Sequence, residues 1–412
     1  MLKHQEAIVK ATVPVLQEYG EKITTAFYAS LFEAHPSLFN IFNPANQRNG
    51  GQARSLAASI LTYAAHIDHL EQLGGMVDRI AHKHASLEVQ AEHYPIVGEH
   101  LLKAITTVLG DAATPDILDA WAAAYGQLAT IMIGREKQLY EEGSQQTGGW
   151  AGFTPLKVVR KVAESESITS FYLASVTGDP LPSFRPGQYL GVKVHIPAQP
   201  FEQIRQYSLS QTSDGRTYRI SVKREPAPHG NPATPPGQIS NYLHTSVKEG
   251  DTILAHVPQG DFVLRSCDRP VVILSGGVGI TPAICMLQHL THAKANQPVL
   301  FVHATTQRSH HAFGYEARAL AEASPDVRTL VYYENADHSD IRGYHYDELG
   351  RISLDSLRAH LPADAADFYY CGPIGFMNVI EGMLDALGIP ASNRYSEAFA
   401  PDPSFATELA KA

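Results

Sequence analysis

Residues 271–282 read VVILSGGVGITP, a short apolar run that leads directly into a glycine-rich turn. A run of four apolar residues bounded by glycine is typical of a buried parallel strand. Two glycines let the backbone turn tightly and approach a pyrophosphate, and a helix that starts here offers N–H groups to the phosphate. We expect Thr281 to cap that helix and Pro282 to open it. The stretch therefore predicts the start of a nucleotide-binding α/β domain.

Strand and helix patterns alternate through the rest of the C-terminal third. Apolar runs at 299–302, 330–333 and 368–370 alternate with helical segments such as 312–323, which predicts a parallel, doubly wound sheet. The third glycine of the Gly-x-Gly-x-x-Gly fingerprint is missing, so a plain glycine turn is the alternative interpretation. The second strand ends in HATTQR, residues 303–308, without the acid that holds a ribose 2′-hydroxyl, which leaves NADH and NADPH both open.

The middle of the chain, residues 151–265, has short apolar runs with a period of two. Runs such as 188–194 and 218–223 are bounded by Gly, Pro and Asp, a spacing typical of an all-β barrel or sandwich. On one of these strands, residues 205–208 read RQYS. An Arg can hold a phosphate, a Tyr can stack on a flat ring, and a Ser hydroxyl can bond a ring nitrogen. Gly237 and Ser240 open a predicted helix whose N-terminus suits a second phosphate.

Residues 2–142 have helical periodicity, with one histidine on an apolar face. Thr114 is expected to cap the last helix and Pro115 to open it, and residues 143–149 form the linker out. In the helix predicted over 77–87, His84 shares a face with the apolar residues, whereas His82 points roughly opposite. A core histidine with satisfied hydrogen bonds is the plainer interpretation of His84.

Two polar side chains aim into this helical core. Gln52 lies one turn before Leu56 on an apolar stripe, and Tyr28 lies beside a second stripe. Left unpaired in a core, each would cost about 1–3 kcal/mol. A polar diatomic ligand on an iron held by His84 would give both of them a partner. His66, His69 and His82 have no Cys or carboxylate that completes a metal site, so we interpret them as solvated surface residues.

Length and composition exclude several classes of protein. A chain of 412 residues is too long for one core and predicts two or three domains. Its net charge of −10 disfavours a nucleic-acid or anionic-membrane role. Three cysteines (Cys267, Cys285 and Cys371) indicate a reducing compartment, and no apolar run is long enough to span a membrane. Glu6 and Lys10 interrupt the N-terminal segment where a signal peptide would be apolar, so we expect a cytoplasmic protein.

The joint order of these motifs resembles the flavohaemoglobin family, a bacterial-type globin fused to a ferredoxin-reductase-like FAD and NAD module. The resemblance spans nearly all of the chain. It implies an all-α globin fold over 1–143, a linker over 144–150, an all-β Greek-key FAD-binding barrel over 151–265 and a doubly wound α/β NAD(P)-binding domain over 266–412. The matching motifs are Phe27-Tyr28, Ile41–Asn43, Asn46–Asn49, Lys83-His84, Tyr94–His100, Ala120-Trp121, Tyr125-Gly126, Arg185–Tyr189, Arg205–Ser208, Val222–Glu225 and Gly276–Gly279.

The resemblance assigns roles to the polar residues of the globin segment. His84 becomes the iron ligand of a haem b, with Tyr94 and Glu136 hydrogen-bonded behind it. Glu136 lies on the apolar stripe of its helix, a costly place for a carboxylate without partners; a helix-end Glu that reaches solvent is the alternative. Tyr28 and Gln52 are implied to bind dioxygen. The other implied haem contacts are Phe42 and Leu56 in the pocket wall and Lys83 beside a propionate.

The resemblance also assigns the two nucleotide sites. The implied FAD positions are Tyr189, Arg205, Gln206, Tyr207, Ser208, Gly237 and Ser240. The implied NAD(P)H positions are Gly277, Val278, Gly279, Ile280, Thr281, Pro282, Cys371, Gly372 and Pro373. Near the end of the chain Phe399 is expected against the isoalloxazine ring, although Ala400 stands where the family has Gly and Ser396 where Tyr is common.

The activity implied by the resemblance is NAD(P)H-dependent nitric oxide dioxygenation, which converts NO and O2 to nitrate. Hydride donors give two electrons at once and haem iron takes one, so FAD is expected to stand between them. A flavin-dependent reductase of quinones, ferric chelates or hydroperoxides is one alternative, and a haem sensor of O2 or NO is another. We expect a monomer whose partners are small molecules, with a lipid in the distal pocket as a further candidate ligand.

Overall fold

The structure is a computed structural model of the 412-residue chain. It describes residues 1–42, 47, 50–197, 199–227, 235–265, 269–293 and 297–399. Two compact units are present. One takes in Met1–Gln145 and Lys193–Arg205, and the other takes in Gln146–Val192 and Gln206–Phe399.

The N-terminal segment is all helical, as predicted. Its α-helices are α1 (Lys3–Ala11), α2 (Val13–Ala34), α3 (Gly51–Ala65), α4 (Gly74–Ala85), α5 (His93–Leu109) and α6 (Pro115–Gln145). Side chains from α2, α3, α5 and α6 share one buried core. Helix α6 opens at Pro115 as predicted, and the Ile117 N–H donates to the Thr114 hydroxyl at 3.4 Å. It continues to Gln145, past the predicted start of the linker, because Gly143 is buried within the helix.

The middle segment is a closed antiparallel barrel. Its elements are β1 (Thr154–Ala163), β2 (Ile168–Ser175), β3 (Tyr189–Val194), β4 (Gln203–Ser208), β5 (Thr217–Lys223), α7 (Gln238–Thr245) and β6 (Thr252–Ala255). The strand order is β4-β3-β6-β1-β2-β5, so β6 enters between β1 and β3 as in a Greek key. Leu209 bridges to Ile220, and the Ser210 N–H donates to the Arg219 carbonyl at 2.8 Å. These contacts join the two end strands and close the sheet.

The C-terminal segment is a parallel sheet with helices on both faces. Its elements are β7 (Val271–Gly276), α8 (Ile280–His292), β8 (Val299–Thr305), α9 (Gly314–Glu322), β9 (Val327–Tyr333), β10 (Glu348–Leu349), α10 (Leu354–His360), β11 (Asp367–Gly372), α11 (Ile374–Ala386) and β12 (Arg394–Ala398). The order is β10-β9-β8-β7-β11-β12, with every pair parallel. Helices α8 and α9 cover one face, and α10 and α11 cover the other. The doubly wound prediction is confirmed.

The strand order reverses between β7 and β11, which is where such sheets bind ligands. Ser275 pairs with Cys371 across these two strands, so the loops after β7 and β11 leave the same edge of the sheet. A Cβ on Gly279 would lie 2.0 Å from the Cys371 carbonyl oxygen. Glycine is therefore the residue that lets the two loops approach this closely. Among the described helices, none is both long and apolar enough to cross a membrane.

We expect Gly279→Ala to lower the free energy of unfolding by about 1–3 kcal/mol or more, because its methyl group would overlap backbone that cannot move aside. Urea unfolding followed by circular dichroism measures the change. Gly382→Ala is the matched control, since Gly382 is exposed within α11 and its Cβ would meet nothing within 4 Å. That variant should be neutral or more stable by up to about 1 kcal/mol. Equal stability of the two variants would contradict the close-approach argument.

Candidate functional site

Three side chains from three helices meet at a buried carboxylate in the globin segment. Glu136 on α6 is 2% exposed. The His84 Nδ1–H on α4 donates to Glu136 Oε1 at 2.7 Å, and the Tyr94 hydroxyl on α5 donates to the same oxygen at 2.6 Å. The Tyr94 oxygen lies 3.2 Å from His84 Nδ1, which closes the triangle. Glu136 is thus a partnered buried carboxylate and does not reach solvent at its helix end.

The hydrogen bonds at His84 Nδ1 determine whether Nε2 is available to bind a metal. With the proton on Nδ1, neutral His84 carries its lone pair on Nε2, the nitrogen that can bind a metal. The His84 side chain is 33% exposed. Burial, and secondly the Glu136 charge, raise the pKa of Tyr94 far above its usual range, which keeps the hydroxyl a donor. The residues present therefore fit a haem iron ligand with a fixed tautomer.

Neighbouring residues hold the α5 end of this triangle in place. The Tyr125 hydroxyl donates to the Tyr94 carbonyl at 2.6 Å, and the Tyr125 ring crosses α5 at Gly98. A Cβ on Gly98 would lie 2.5 Å from that ring, so this crossing requires glycine. The Tyr140 hydroxyl donates to the Val89 carbonyl at 2.7 Å. Tyr125 and Tyr140 are supporting residues that the sequence alone did not single out as part of the site.

Tyr28 on α2 and Gln52 on α3 are brought together by the fold. Tyr28 is buried, and its hydroxyl is hydrogen-bonded to the Gln52 side chain. Burial raises the pKa of Tyr28 well above its usual range, so its hydroxyl stays protonated. The Phe42 ring meets the Tyr28 ring edge-on, with centroids 5.8 Å apart, and Phe32 stacks on it at the same distance. The ring is therefore held in one orientation with a donor at its tip.

The other implied haem contacts are less constrained. Leu56 packs, half-buried, against the globin core, and Lys83 is exposed on α4. Asn43, Asn46, Arg48 and Asn49 of the family motifs lie outside the described residues.

One expectation about the histidines is wrong. The His82 side chain is only 12% exposed, and its Nε2 lies 3.8 Å from Asp78 Oδ2 one turn earlier. Helix α6 packs against α4 near this position, where Arg135 donates to Asp78 at 2.6 Å. His66 is half-buried beside its own helix end, whereas His69 is exposed as expected.

In the barrel, the implied flavin positions cluster on β3, β4 and the start of α7. Tyr189 and Ser208 are buried, and Arg205, Gln206 and Tyr207 lie between them on the strand pair. Helix α7 begins after Gly237 without any side-chain cap. The Ser240 hydroxyl donates to the Gly237 carbonyl at 3.2 Å and accepts from the Glu225 N–H at 3.2 Å. The first N–H groups of α7 thus stay available for a phosphate, which fits a flavin nucleotide.

The glycine loop after β7 fits a second nucleotide. Gly277 has φ +52°, and a Cβ there would meet nothing within 4 Å, so open space faces this backbone. A 3-10 turn over Gly277–Gly279 precedes α8, which starts at Ile280 with Gly279 as its N-cap. The expectation that Thr281 caps this helix and Pro282 opens it is therefore wrong. The Thr281 hydroxyl donates to the Val278 carbonyl at 3.0 Å, inside the first turn. No side-chain cap is present at the start of α8, which leaves this helix end suited to a phosphate.

The remaining implied nucleotide positions lie at the same edge. Val278 is half-buried in the loop, and Cys371 and Gly372 are buried at the end of β11, where Pro373 begins the turn into α11. Phe399 follows β12 and is 47% exposed, with a face that could meet a flat ring. Ala400 and Pro401 lie outside the described residues.

Comparisons with known proteins match all three segments of the chain. Residues 25–132 match the globin family, 155–264 the oxidoreductase FAD-binding domain and 273–382 the oxidoreductase NAD-binding domain. A flavohemoprotein of Deinococcus radiodurans is 58% identical over 402 residues, which cover 98% of each chain. That of Bordetella pertussis is 47% identical over 95% of this chain and 97% of its own. The chain belongs to the flavohaemoglobin family.

Similarity to solved structures supports the same family assignment. A flavohemoglobin from Malassezia yamatoensis with bound FAD and heme has a TM-score of 0.83 at 27% identity, covering 97% of this chain and 99% of its own. The Flavohem-like FAD/NAD binding domain of nitric oxide dioxygenase from Vibrio cholerae has a TM-score of 0.53 at 36% identity, covering 59% of this chain and 97% of its own. As a member of this family, the chain is a haem-, FAD- and NAD-binding oxidoreductase.

An ion pair missed by the sequence reasoning joins the barrel to the α/β sheet within one unit. Arg219 on β5 is 4% exposed, and its guanidinium donates to both oxygens of Glu316 on α9, at 3.0 and 3.1 Å. The same guanidinium lies over the Phe313 ring, 4.6 Å from its centroid. Gln288 on α8 also donates to Glu316. This bidentate pair, with its guanidinium buried, fixes β5 against α8 and α9.

Two buried histidines support the strand that carries the glycine loop. The Ser275 hydroxyl donates to the Val302 carbonyl at 3.2 Å and lies 2.9 Å from His303 Nδ1, which must then donate to it. The His311 ring stacks on His303, with centroids 4.9 Å apart, and His311 Nδ1 is hydrogen-bonded to the Tyr333 hydroxyl at 2.9 Å. Burial lowers the pKa of His311 to about 4 and that of His303 well below its usual value.

These shifts predict that stability falls in acid. His311 protonates near 6.5 when unfolded but near 4 when folded, so the unfolded chain binds more protons between these values. The free energy of unfolding should therefore fall as pH drops through this window, by about 3 kcal/mol from His311. His311→Asn should flatten the pH dependence measured by urea unfolding. His338→Gln, at an exposed position, is the control and should leave the slope unchanged. An unaltered slope in His311→Asn would contradict the assignment.

Proposed function

We propose that the chain is an NAD(P)H-dependent nitric oxide dioxygenase, which converts NO and O2 to nitrate with electrons passed from NAD(P)H through FAD to haem. The observation that carries this proposal is the buried Tyr28 hydroxyl, kept protonated and paired with Gln52. A fixed neutral donor suits a small ligand that gains negative charge as it reacts. The name of the Vibrio cholerae relative, a nitric oxide dioxygenase, supports the same reaction.

The cofactors supply the redox chemistry: haem offers a one-electron iron centre that takes up dioxygen, and FAD exchanges two-electron for one-electron transfer. The protein residues position the bound dioxygen and polarise it. On this proposal Tyr28 donates a hydrogen bond to dioxygen in the pocket, and Gln52 holds the Tyr28 hydroxyl in the direction of the ligand. Phe42 and Leu56 form the apolar wall that excludes water, and Lys83 attracts a propionate.

We assign His84 as the residue that would hold the haem iron, with Glu136 and Tyr94 as positioning residues. The Glu136 carboxylate accepts the Nδ1 proton at 2.7 Å and so makes Nε2 a stronger electron donor. Tyr94 limits how far the carboxylate draws that proton, because it shares the same oxygen. In the reductase half, we assign FAD to the residues on β3, β4 and α7, and NAD(P)H to the loops after β7 and β11.

Tyr28→Phe tests the distal assignment, because it removes the hydroxyl and keeps the ring. With NADH, O2 and NO supplied, nitrate formation should slow roughly 10- to 150-fold, the effect of losing a hydrogen bond of about 1.5–3 kcal/mol to a charged group. Dissociation of O2 from the reduced protein, measured by stopped-flow absorbance, should quicken.

Tyr63→Phe is the matched control for this experiment. Its hydroxyl is also buried and donates to the Ala124 carbonyl at 2.9 Å, so the variant loses a comparable hydrogen bond away from the pocket. Equal rates of nitrate formation in Tyr28→Phe and the parent would remove Tyr28 from the mechanism. If quinone or ferric-chelate reduction persists in His84→Ala while the parent never forms nitrate, the chain is a flavin-dependent reductase.

Glu136→Gln tests the proximal assignment, because it keeps the shape of the side chain and removes its charge. The iron–histidine stretching frequency in the resonance Raman spectrum of the reduced protein should fall, and turnover should drop about 10- to 100-fold. Glu141→Gln changes an exposed carboxylate on the same helix and should alter neither. A frequency unchanged by Glu136→Gln would show that the carboxylate does not tune the ligand.

A further inference from the structure

The helix that carries His84 is closed by a residue with a left-handed backbone. Among the described residues other than glycine, Glu88 (φ +58°) and Phe313 are the two with a positive φ. The Val89 N–H donates to the His84 carbonyl at 3.1 Å, and the Glu88 N–H donates to the Ala85 carbonyl at 3.1 Å. These two bonds form the Schellman motif, with Glu88 at the position that glycine usually occupies. The cap is therefore bonded directly to the backbone of the proposed iron ligand.

A glutamate is locally unfavourable at this position. The Cβ atom of an L-residue strains a left-handed backbone, and glycine avoids this penalty. Such strain persists where the surrounding structure imposes it, and it is found often at functional positions. The Glu88 side chain is therefore the part of the residue whose contacts can offset the penalty.

The Glu88 side chain reaches a lysine of the barrel. Lys193 lies on β3, and its Nζ donates to Glu88 Oε2 at 3.3 Å and lies 3.7 Å from Glu202 Oε2. The Lys193 side chain is 17% exposed and that of Glu88 is 32% exposed. Because both are partly shielded from water, salt screens their attraction less than it would on an open surface.

A segment of the barrel packs with the globin helices. Residues Lys193–Arg205 belong to the same compact unit as the N-terminal helices. Within this unit the Glu202 N–H donates to Asn40 Oδ1 at 2.8 Å. The Phe201 ring meets the Phe39 ring, with centroids 5.3 Å apart. The ion pair of Glu88 is therefore one of several contacts that this segment makes with the globin helices.

The same two strands carry proposed flavin positions. Strands β3 and β4 are neighbours in the sheet. Tyr189 lies on β3 four residues before Lys193, and Arg205 begins the flavin motif on β4. The ion pair of Lys193 with Glu88 thus connects a flavin-binding strand to the cap of the helix that carries His84. In an enzyme with two redox cofactors, positioning them is the part of the chemistry that falls to the protein.

We propose that Glu88 and Lys193 are positioning residues for electron transfer. Their ion pair lets the flavin-binding strand β3 hold the end of the helix that carries His84, and the passage of electrons from FAD to haem depends on that hold. The inference rests on the proposed function, since that function passes electrons along this path. A glycine at position 88 would relieve the backbone but would lose the ion pair.

Electron transfer can be measured separately from flavin reduction and without NO. On the haem- and FAD-loaded protein, with NADH and CO but no O2, stopped-flow absorbance follows flavin bleaching and then formation of the reduced haem–CO complex. Lys193→Gln and Glu88→Gln should each slow haem reduction about two- to fivefold, the contribution of a partly exposed ion pair. Flavin reduction should keep its rate. The double variant should be no slower than either single variant, because all three lose the same pair.

Glu92→Gln is the matched control, since it changes an exposed carboxylate in the same connection and should leave both rates unchanged. Haem reduction at the parent rate in Lys193→Gln and Glu88→Gln would overturn the proposal. A double variant slowed by the product of the two single effects would also overturn it, because the two residues would then act independently.

Glu88→Gly separates electron transfer from stability. Glycine fits the left-handed backbone, so the variant should lose its Soret band at an equal or higher urea concentration than the parent. Haem reduction should nevertheless slow as in Glu88→Gln. An equally stable Glu88→Gly with the parent rate of haem reduction would show that the side chain has no part in electron transfer.

Amide hydrogen exchange tests the same contact without turnover. In Lys193→Gln the peptide that contains residues 86–90 should exchange faster than in the parent, because the cap loses its tie to β3. Unchanged exchange there would contradict the proposal. Slower haem reduction in Lys193→Gln, in a protein that forms no nitrate, would uphold the ion pair and sink the dioxygenase. Nitrate formation by the parent, with haem reduction unaffected in Lys193→Gln, would have the opposite meaning.

Discussion

The globin half depends on one buried carboxylate. Burying an unpartnered Glu136 would cost several kcal/mol, so α4, α5 and α6 have to pack so that His84 and Tyr94 both donate to it. Gly98 and Tyr125 belong to the same arrangement. The missing side chain of Gly98 leaves room for the Tyr125 ring, and this brings α5 close enough to α6 for Tyr94 to reach Glu136. Packing and chemistry are therefore one constraint here: the geometry that relieves the buried charge also fixes the proton on Nδ1.

The proposed nucleotide sites of the reductase half rely on backbone N–H groups, whereas the proposed haem site of the globin half relies on side chains. Helices α7 and α8 begin without side-chain caps, and the glycine loop after β7 leaves open space in front of α8. Unpaired N–H groups at a helix start bind phosphate whatever the neighbouring side chains are. Few charged residues are needed to hold the nucleotides, which is consistent with a chain whose net charge is −10.

Local pattern predicted most of this architecture, and the failures share a physical cause. The buried strands β7, β8 and β9 have uninterrupted apolar runs and were predicted, whereas β1 carries an exposed Lys157, an exposed Arg160 and a half-buried Lys161 and was not. Thr281 before a proline has the pattern of a cap, but the preceding 3-10 turn moves the helix start to Ile280. Residue spacing predicted which face of a helix a residue occupies. It did not predict that α6 packs against α4 near His82. Contacts between distant residues, such as Arg219 with Glu316, have no local signal.

The loops after β7 and β8 would contact different parts of the nucleotide. This explains why the glycine motif alone leaves the choice between NADH and NADPH open. On the proposed assignment the loop after β7 meets the pyrophosphate, which NADH and NADPH share, through backbone that side-chain changes leave intact. Discrimination then has to come from the one position where the donors differ, beside the end of β8. A side chain there can change charge at little structural cost, because Arg308 and Tyr315 are both solvent-exposed. A residue at this edge can therefore change without altering the pairs that hold the sheet and the barrel together, such as Arg219 with Glu316.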